Sequence, residues 1–280
     1  MKSRMLGAVS ACVFTFTSIT TAQAVPVSGQ GTWETTLEGR LETAPGSGVF
    51  LAYYDTVLDI TWLADANAGA GSEVFDDGGD PTDGRMTWDN ARAWAADLTI
   101  GGVSGWRLPT VSPIDGNTFD TTHSNNATTD WGSAPTTTDG TDGGWRDAGN
   151  TPVSELGHMY YVTLGNLGIC TPDDADPSSC VTQPGSGPSN TGPFSGVPGS
   201  YWSGTEFNFG LAWHFGFPTG TQTVDGKNDD DDLAWAVRSG DVPAFVPCLL
   251  YTSDAADDTQ FGGGAGGAGA GGRGGGGGGG

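Results

Sequence analysis

The sequence predicts an α+β fold, with two short helices packed on small antiparallel sheets and long loops between them. Three observations carry this. Apolar residues recur at helical spacing from Trp88 to Leu98 and again from Leu156 to Leu164. They alternate at period two in Leu58, Ile60 and Trp62, in Leu211, Trp213, Phe215 and Phe217, and in Leu233, Trp235 and Val237. The stretches 111–150 and 165–200 are rich in Gly, Asp, Thr, Asn and Pro and read as irregular surface excursions.

The elements follow in order. Residues 1–24 read as a secretory signal peptide: Lys2 and Arg4 form the basic start, Leu6 to Ile19 the apolar stretch, and Ala22-Gln23-Ala24 the cleavage site. The apolar stretch is too short, and too rich in Ser and Thr, for a membrane span. Residues 25–48 form a polar N-terminal extension with Trp33 and Leu37 as its apolar anchors. One domain then covers 49–243. Val49 to Tyr54 can pair across a turn at Asp55-Thr56 with a half-buried strand around Leu58 to Trp62. Thr87 opens a helix whose buried face is Trp88, Ala91, Ala95 and Leu98, widened by Trp94 and stopped by Gly101-Gly102.

The segment Gly105-Trp106-Arg107-Leu108-Pro109-Thr110 comes next, with Pro109 marking an edge or an exit from a strand. A second helix spans Ser154 to Leu164, with Leu156, Met159, Tyr160 and Thr163 or Leu164 on its core stripe and Gly165 as its cap. Ser200 to Thr205, Leu211 to Phe217, Thr221 to Val224 and Leu233 to Val237 are the closing strands. From 247 to 280 the character changes. Leu249 to Asp257 resembles translated sequencing-adapter read-through, and the rest is nearly pure Gly and Ala, which gives no core. A flexible Gly-rich linker is the other reading of this tail.

Charge narrows the partners. Lys and Arg total 10 against 33 Asp and Glu, a net charge of −23. Such a surface repels nucleic acid, anionic membranes and sulfated glycans, and leaves cations, neutral sugars and proteins as ligands.

Five motifs then point to a family. Asp59-Ile60-Thr61-Trp62-Leu63, Thr87-Trp88-Asp89-Asn90-Ala91, Gly105-Trp106-Arg107-Leu108-Pro109-Thr110, Tyr201-Trp202-Ser203-Gly204-Thr205-Glu206 and Ala234-Trp235-Ala236-Val237-Arg238 stand in this order. Together they resemble the Lcl C-terminal domain family over about residues 50–242. The resemblance implies a C-type-lectin-like fold in an exported, surface-associated protein of a Gram-negative bacterium. Within these motifs Trp106, Pro109, Trp202 and Trp235 read as scaffold, and Arg107 and Arg238, in strand-like segments with aromatic neighbours, as buried or rim ion-pair partners, with ligand contact the competing reading. The Ser239-Gly240-Asp241-Val242 ending resembles a subgroup carrying a PEP-CTERM sorting tail, which would engage a sorting machinery; that tail is absent here. Neither the calcium-binding triplets of sugar-binding C-type lectins nor the late active-site cysteine pair of the formylglycine-generating enzymes is present.

Candidate sites follow from residue chemistry. Cys170 and Cys180, in a Pro- and Asp-rich loop of an exported chain, read as a disulfide; a metal site is the rival reading, weakened by the lack of a nearby His or further Cys. Asp76, Asp80 and Asp83 offer hard oxygen ligands for calcium in a Gly-spaced loop, as do Asp229 to Asp232; solvated acidic loops are the competing reading. Trp131 and Trp145 tether the 111–150 excursion or, if exposed with Trp202, stack on sugar rings. His123, His158 and His214 read as solvated or structural, since no nucleophile or metalloprotease motif accompanies them. The function expected is a non-catalytic binding or adhesion module for polysaccharide or protein. The alternative is an extracellular modifying enzyme on a scaffold like that of the formylglycine-generating enzymes.

Overall fold

The computed structural model describes residues 26–72, 75, 80, 82–134, 143–172, 175–197, 199–229 and 232–246. The signal peptide 1–24, Asp76, Asp230, Asp231 and the tail from 247 lie outside these residues. The architecture is α+β, with few short helices and mostly antiparallel sheets. No helix among the described residues is long and apolar enough to cross a membrane.

The first sheet joins both ends of the domain. Its strands are β1 (Leu37–Glu42), β2 (Phe50–Asp55), β3 (Ile60–Leu63) and β9 (Val237–Ser239), side by side in that order and antiparallel throughout. A helical turn, α1 (Trp33–Thr36), feeds β1. The segment expected as an extension thus supplies a full strand, and residue 49 falls inside the β1–β2 hairpin. Leu41 breaks the β1 ladder at φ +53° without shifting its register, burying its side chain while its N–H donates to the Pro243 carbonyl at 3.1 Å.

β3 departs from the half-buried expectation: all four of its residues are buried. It lies between β2 and β9, and its one polar side chain, Thr61, donates to the Gly240 carbonyl at 2.8 Å. Satisfying that hydroxyl is what lets a Thr occupy a fully covered strand.

The second sheet runs β4 (His123–Ser124), β5 (Trp131–Ser133), β8 (Thr221–Gly226), β7 (Leu211–Gly216), β6 (Ser200–Glu206), parallel only between β4 and β5. The β7–β8 hairpin closes at Gly220, whose φ of +68° suits glycine, and whose missing Cβ would lie 2.7 Å from the Tyr160 ring. In β7 the alternation selects a face rather than a degree of burial. Trp213, Phe215 and Phe217 are buried, yet so is Ala212, while His214 is mostly covered.

Leu233 to Val237 was expected to alternate as a strand, but all five residues are buried and β9 begins only at Val237. The reason is that this stretch crosses between the sheets. Leu233 bridges to Tyr201 and Arg85, and the Ala236 carbonyl accepts from Leu63 at 3.0 Å.

Helix α2 (Trp88–Asp97) matches expectation, burying Trp88, Ala91, Trp94 and Ala95; Leu98 is its cap. The second helix differs. It is one α-turn, α3 (Glu155–His158), capped by Ser154 accepting from the Gly157 N–H, and it continues as a π-helix over Met159–Thr163. It has no exposed face, since every residue from Leu156 to Leu164 is buried. The wall opposite its expected polar side is the chain's own N-terminal segment. Thr32 donates to the Thr163 carbonyl at 3.0 Å, and Gly31 meets Gly165 backbone to backbone, so closely that a Cβ on Gly165 would lie 2.5 Å from the Gly31 nitrogen.

The aromatic core spans both sheets. Tyr160, Phe215, Phe217, Tyr201, Trp235 and Trp62 form a chain of ring contacts with centroids 4.9–5.8 Å apart. Pairs at these tilted and edge-on geometries gain on the order of 1 kcal/mol each beyond burial.

Candidate functional site

The Trp-Arg-Leu-Pro-Thr segment is fixed before it can be used. After α2, Gly101 and Gly102 adopt positive φ and reverse the chain, and Trp106 to Thr110 passes beside the helix. Trp106 and Leu108 point inward, 3% and 2% exposed, and the Trp106 indole N–H donates to the Val103 carbonyl at 3.0 Å. Arg107 exchanges two backbone hydrogen bonds with Val237, at 2.7 and 2.8 Å, a single bridge rather than a strand. Pro109 has no N–H to continue the ladder, and its carbonyl instead accepts from Gly204 at 2.7 Å.

The Arg107 guanidinium forms a bidentate pair with Glu155, at 2.7 and 2.8 Å, and Glu155 also accepts from the Thr110 N–H at 2.7 Å. One carboxylate at the start of α3 therefore holds both the side chain and the backbone of the motif. The expectation of a paired Arg107 holds in detail. For Arg238 it does not. Its guanidinium donates to the carbonyls of Ser104, Ser239 and Asp241, with no carboxylate partner among the described residues, because the chain folds back around it at Ser239 to Asp241.

Between the outer face of α2 and this segment lies an open groove of about 520 Å³. Trp106 and Leu108 underlie it, and Asp89, Arg92, Arg107 and Thr110 ring it. The Arg92 guanidinium sits 4.5 Å from the centroid of the Trp88 ring, over which Lys227 Nζ also stands at 4.4 Å. Lys227 is further held by Glu206 at 2.5 Å. The groove thus combines carbon surface, from Ala93 and Ala96 of α2, with charged and hydroxyl groups on its rim.

The other expected site residues separate. Trp202 and Trp235 are fully buried, their indole N–H groups donating to the carbonyls of Met86 and Leu63 at 2.8 and 2.9 Å. Trp145 is 1% exposed, donates to the Thr129 carbonyl at 2.9 Å and packs edge-on to Tyr161 and Phe215, so it is a tether and not a ligand contact. Trp131, in β5, is half-buried and keeps accessible surface. Cys170 and Cys180 are joined as a disulfide.

Of the calcium candidates, Asp76 lies outside the described residues. The Asp80 carboxylate is taken up by the Thr82 hydroxyl and N–H, at 2.6 and 3.0 Å, which hold it below the usual carboxylate range. Asp83 accepts from the Arg85 N–H at 2.9 Å and pairs with the Arg85 side chain at 3.5 Å. These contacts are local to the turn and fall on Asp80 Oδ1 and on both Asp83 oxygens. Among the described residues, the acidic and imidazole side chains close enough to share an ion are instead His214, Asp225 and Asp232.

Sequence reasoning missed a polar group at the centre of the loops. Asn190 is fully buried and uses its whole amide: Oδ1 accepts from Val27 and Gly192, and Nδ2 donates to Gln30 and Leu164. Asn166 brackets its backbone from both sides. A lone Asn in a Gly- and Pro-rich stretch carries no periodic signal that could have marked it. No protein-family model, curated protein or solved structure matches the chain.

Proposed function

We propose that this is an exported, non-catalytic binding module of C-type-lectin-like fold, acting at the surface or in the extracellular matrix of a Gram-negative bacterium. Its ligand sits in the groove between α2 and the Trp106–Thr110 segment. The observation that carries the reading is the composition of that groove. The carbon surface of exposed Ala93 and Ala96, above the nearly covered Trp106 and Leu108, suits the apolar face of a sugar ring, and Asp89, Arg92 and Thr110 supply mixed acceptors and donors for hydroxyl groups. With a net charge of −23, a neutral polysaccharide is favoured over an acidic one. The cysteine pair and the signal-peptide pattern support export. The order of the five motifs supports the Lcl C-terminal domain assignment, and the two short helices over small sheets with long loops support the lectin-like topology.

A glycan array probed with the mature chain tests this. Retention on neutral glycans, insensitive to moderate salt, is the expected result. Binding to no glycan, or binding only to sulfated ones, overturns it.

A further inference from the structure

We propose that His214, Asp225 and Asp232 form a site for one divalent first-row transition-metal ion that ties Asp232 to the β7–β8 hairpin of the second sheet. Strand register assembles two of the ligands. His214 faces Thr223 across the β7–β8 ladder and Asp225 faces Ala212, so both side chains leave the same face of the hairpin. Asp232 arrives from the far end of the loop, fixed by its carbonyl accepting from the Met86 N–H at 3.1 Å. One donor atom from each of the three lies within 4.8 Å of the other two.

A second observation points to a ligand. The Asp232 side chain is 3% exposed, and its Oδ2 lies 2.8 Å from His214 Nδ1. Despite that closeness, neither atom completes an aligned hydrogen bond with any described residue. A buried carboxylate oxygen with no donor aimed at it is costly. The two atoms face each other as a buried ion pair without an aligned hydrogen bond, and Asp225 brings a third donor atom within 4.8 Å of both, a set that suits an ion. Ligand atoms about 2.1 Å from a tetrahedral zinc stand about 3.4 Å apart, so the 2.8 Å pair opens by about half an ångström to admit the ion.

Asp225 is suited to join them. One of its oxygens, Oδ1, is engaged by the Gly226 N–H at 2.7 Å, which orients the carboxylate. Two carboxylates and a neutral imidazole match the charge of a dication, whereas nearby Lys227 is committed to Glu206 and the Trp88 ring. One nitrogen and two oxygens favour zinc or manganese over calcium, which takes six to eight oxygens. The role is structural: the ion ties β7 and β8 to the point where the chain leaves for the first sheet. This site is separate from the groove proposed for ligand binding.

The test uses the full mature chain, stripped with EDTA and then offered zinc, manganese or calcium alone. One equivalent of zinc or manganese retained after dialysis, with a raised Tm, is expected; calcium leaves the Tm unchanged. His214→Gln and Asp225→Asn each weaken metal binding by at least about tenfold. Asp225 is only half-buried, so Asp225→Asn keeps the metal-free Tm and separates lost binding from lost folding. An ordinary imidazolium–carboxylate pair, seen as no metal retained by the wild-type chain, overturns the proposal. So does undiminished binding in both variants, or an equal Tm rise with calcium.

Discussion

Acid should unfold this protein through His158, and the size of the effect can be worked out in advance. The ring is 1% exposed at the junction of α3 with the π-helix, and neither of its nitrogens has a hydrogen-bond partner among the described residues. Burial, reinforced by the charge of Arg146, pushes its pKa from 6.5 down to about 4. Between those values the unfolded chain binds a proton that the folded chain refuses. Stability from this residue is therefore fully present above pH 6.5 and is lost as pH falls toward 4. The gap corresponds to about 3 kcal/mol.

His158→Leu removes the titrating group and, with it, a pair of unsatisfied ring nitrogens. Urea unfolding of both proteins at about pH 7.5 and pH 4.5 should show the wild type losing about 2–3 kcal/mol more than the variant on acidification. The buried carboxyls of Asp55 and Asp130 are raised by burial and titrate in the opposite sense, but they do so equally in both proteins and cancel in the difference. Parallel pH profiles would refute the burial argument.

Two further perturbations test the frame. Arg107→Met leaves the Glu155 carboxylate with only the Thr110 N–H of its three donors. The pair lies at the rim, so the cost is about 2 kcal/mol, read as a fall in Tm of about 4–8 °C; an unchanged Tm contradicts the structural role. Replacing both Cys170 and Cys180 by Ser opens a loop with a sequence separation of 10 residues, at a cost of about 3 kcal/mol by loop-closure entropy. Equal denaturant midpoints for the disulfide-bonded and Ser forms would show that the loop contributes nothing to stability.

The sequence was legible where one periodicity met one environment. Helix α2 has a single core face, and its buried residues match the predicted stripe. The β7–β8 hairpin, with its turn at Pro218-Thr219-Gly220, was equally plain. Legibility failed where a second layer covers the other side. α3 and its π-helical continuation are enclosed by residues 30–32, Trp145 and the loop around Asn190, so a stripe was predicted where burial is complete. Leu233 to Val237 misled in the same way, since a segment that crosses between two sheets is covered on all sides.

The site was legible only in part. The sequence singled out Trp106 to Thr110 as scaffold, and its pairing with Glu155 agrees, but nothing in the spacing showed that α2 would stand off from it to leave a groove. The acidic run at 229–232 drew attention as a group. That Asp232 turns inward to His214 depends on tertiary register, which sequence separation hides.

The central claim is that ligand enters the groove over Trp106 and Leu108. Ala96 is exposed on the groove-facing side of α2, where a larger side chain fills the cleft without touching the core. The most direct measurement is the affinity of wild-type and Ala96→Trp proteins for the best glycan from the array, alongside their melting temperatures. A loss of at least about tenfold, or about 1.4 kcal/mol, at unchanged Tm is the result expected. Equal affinities in two equally stable proteins would contradict the assignment of the groove.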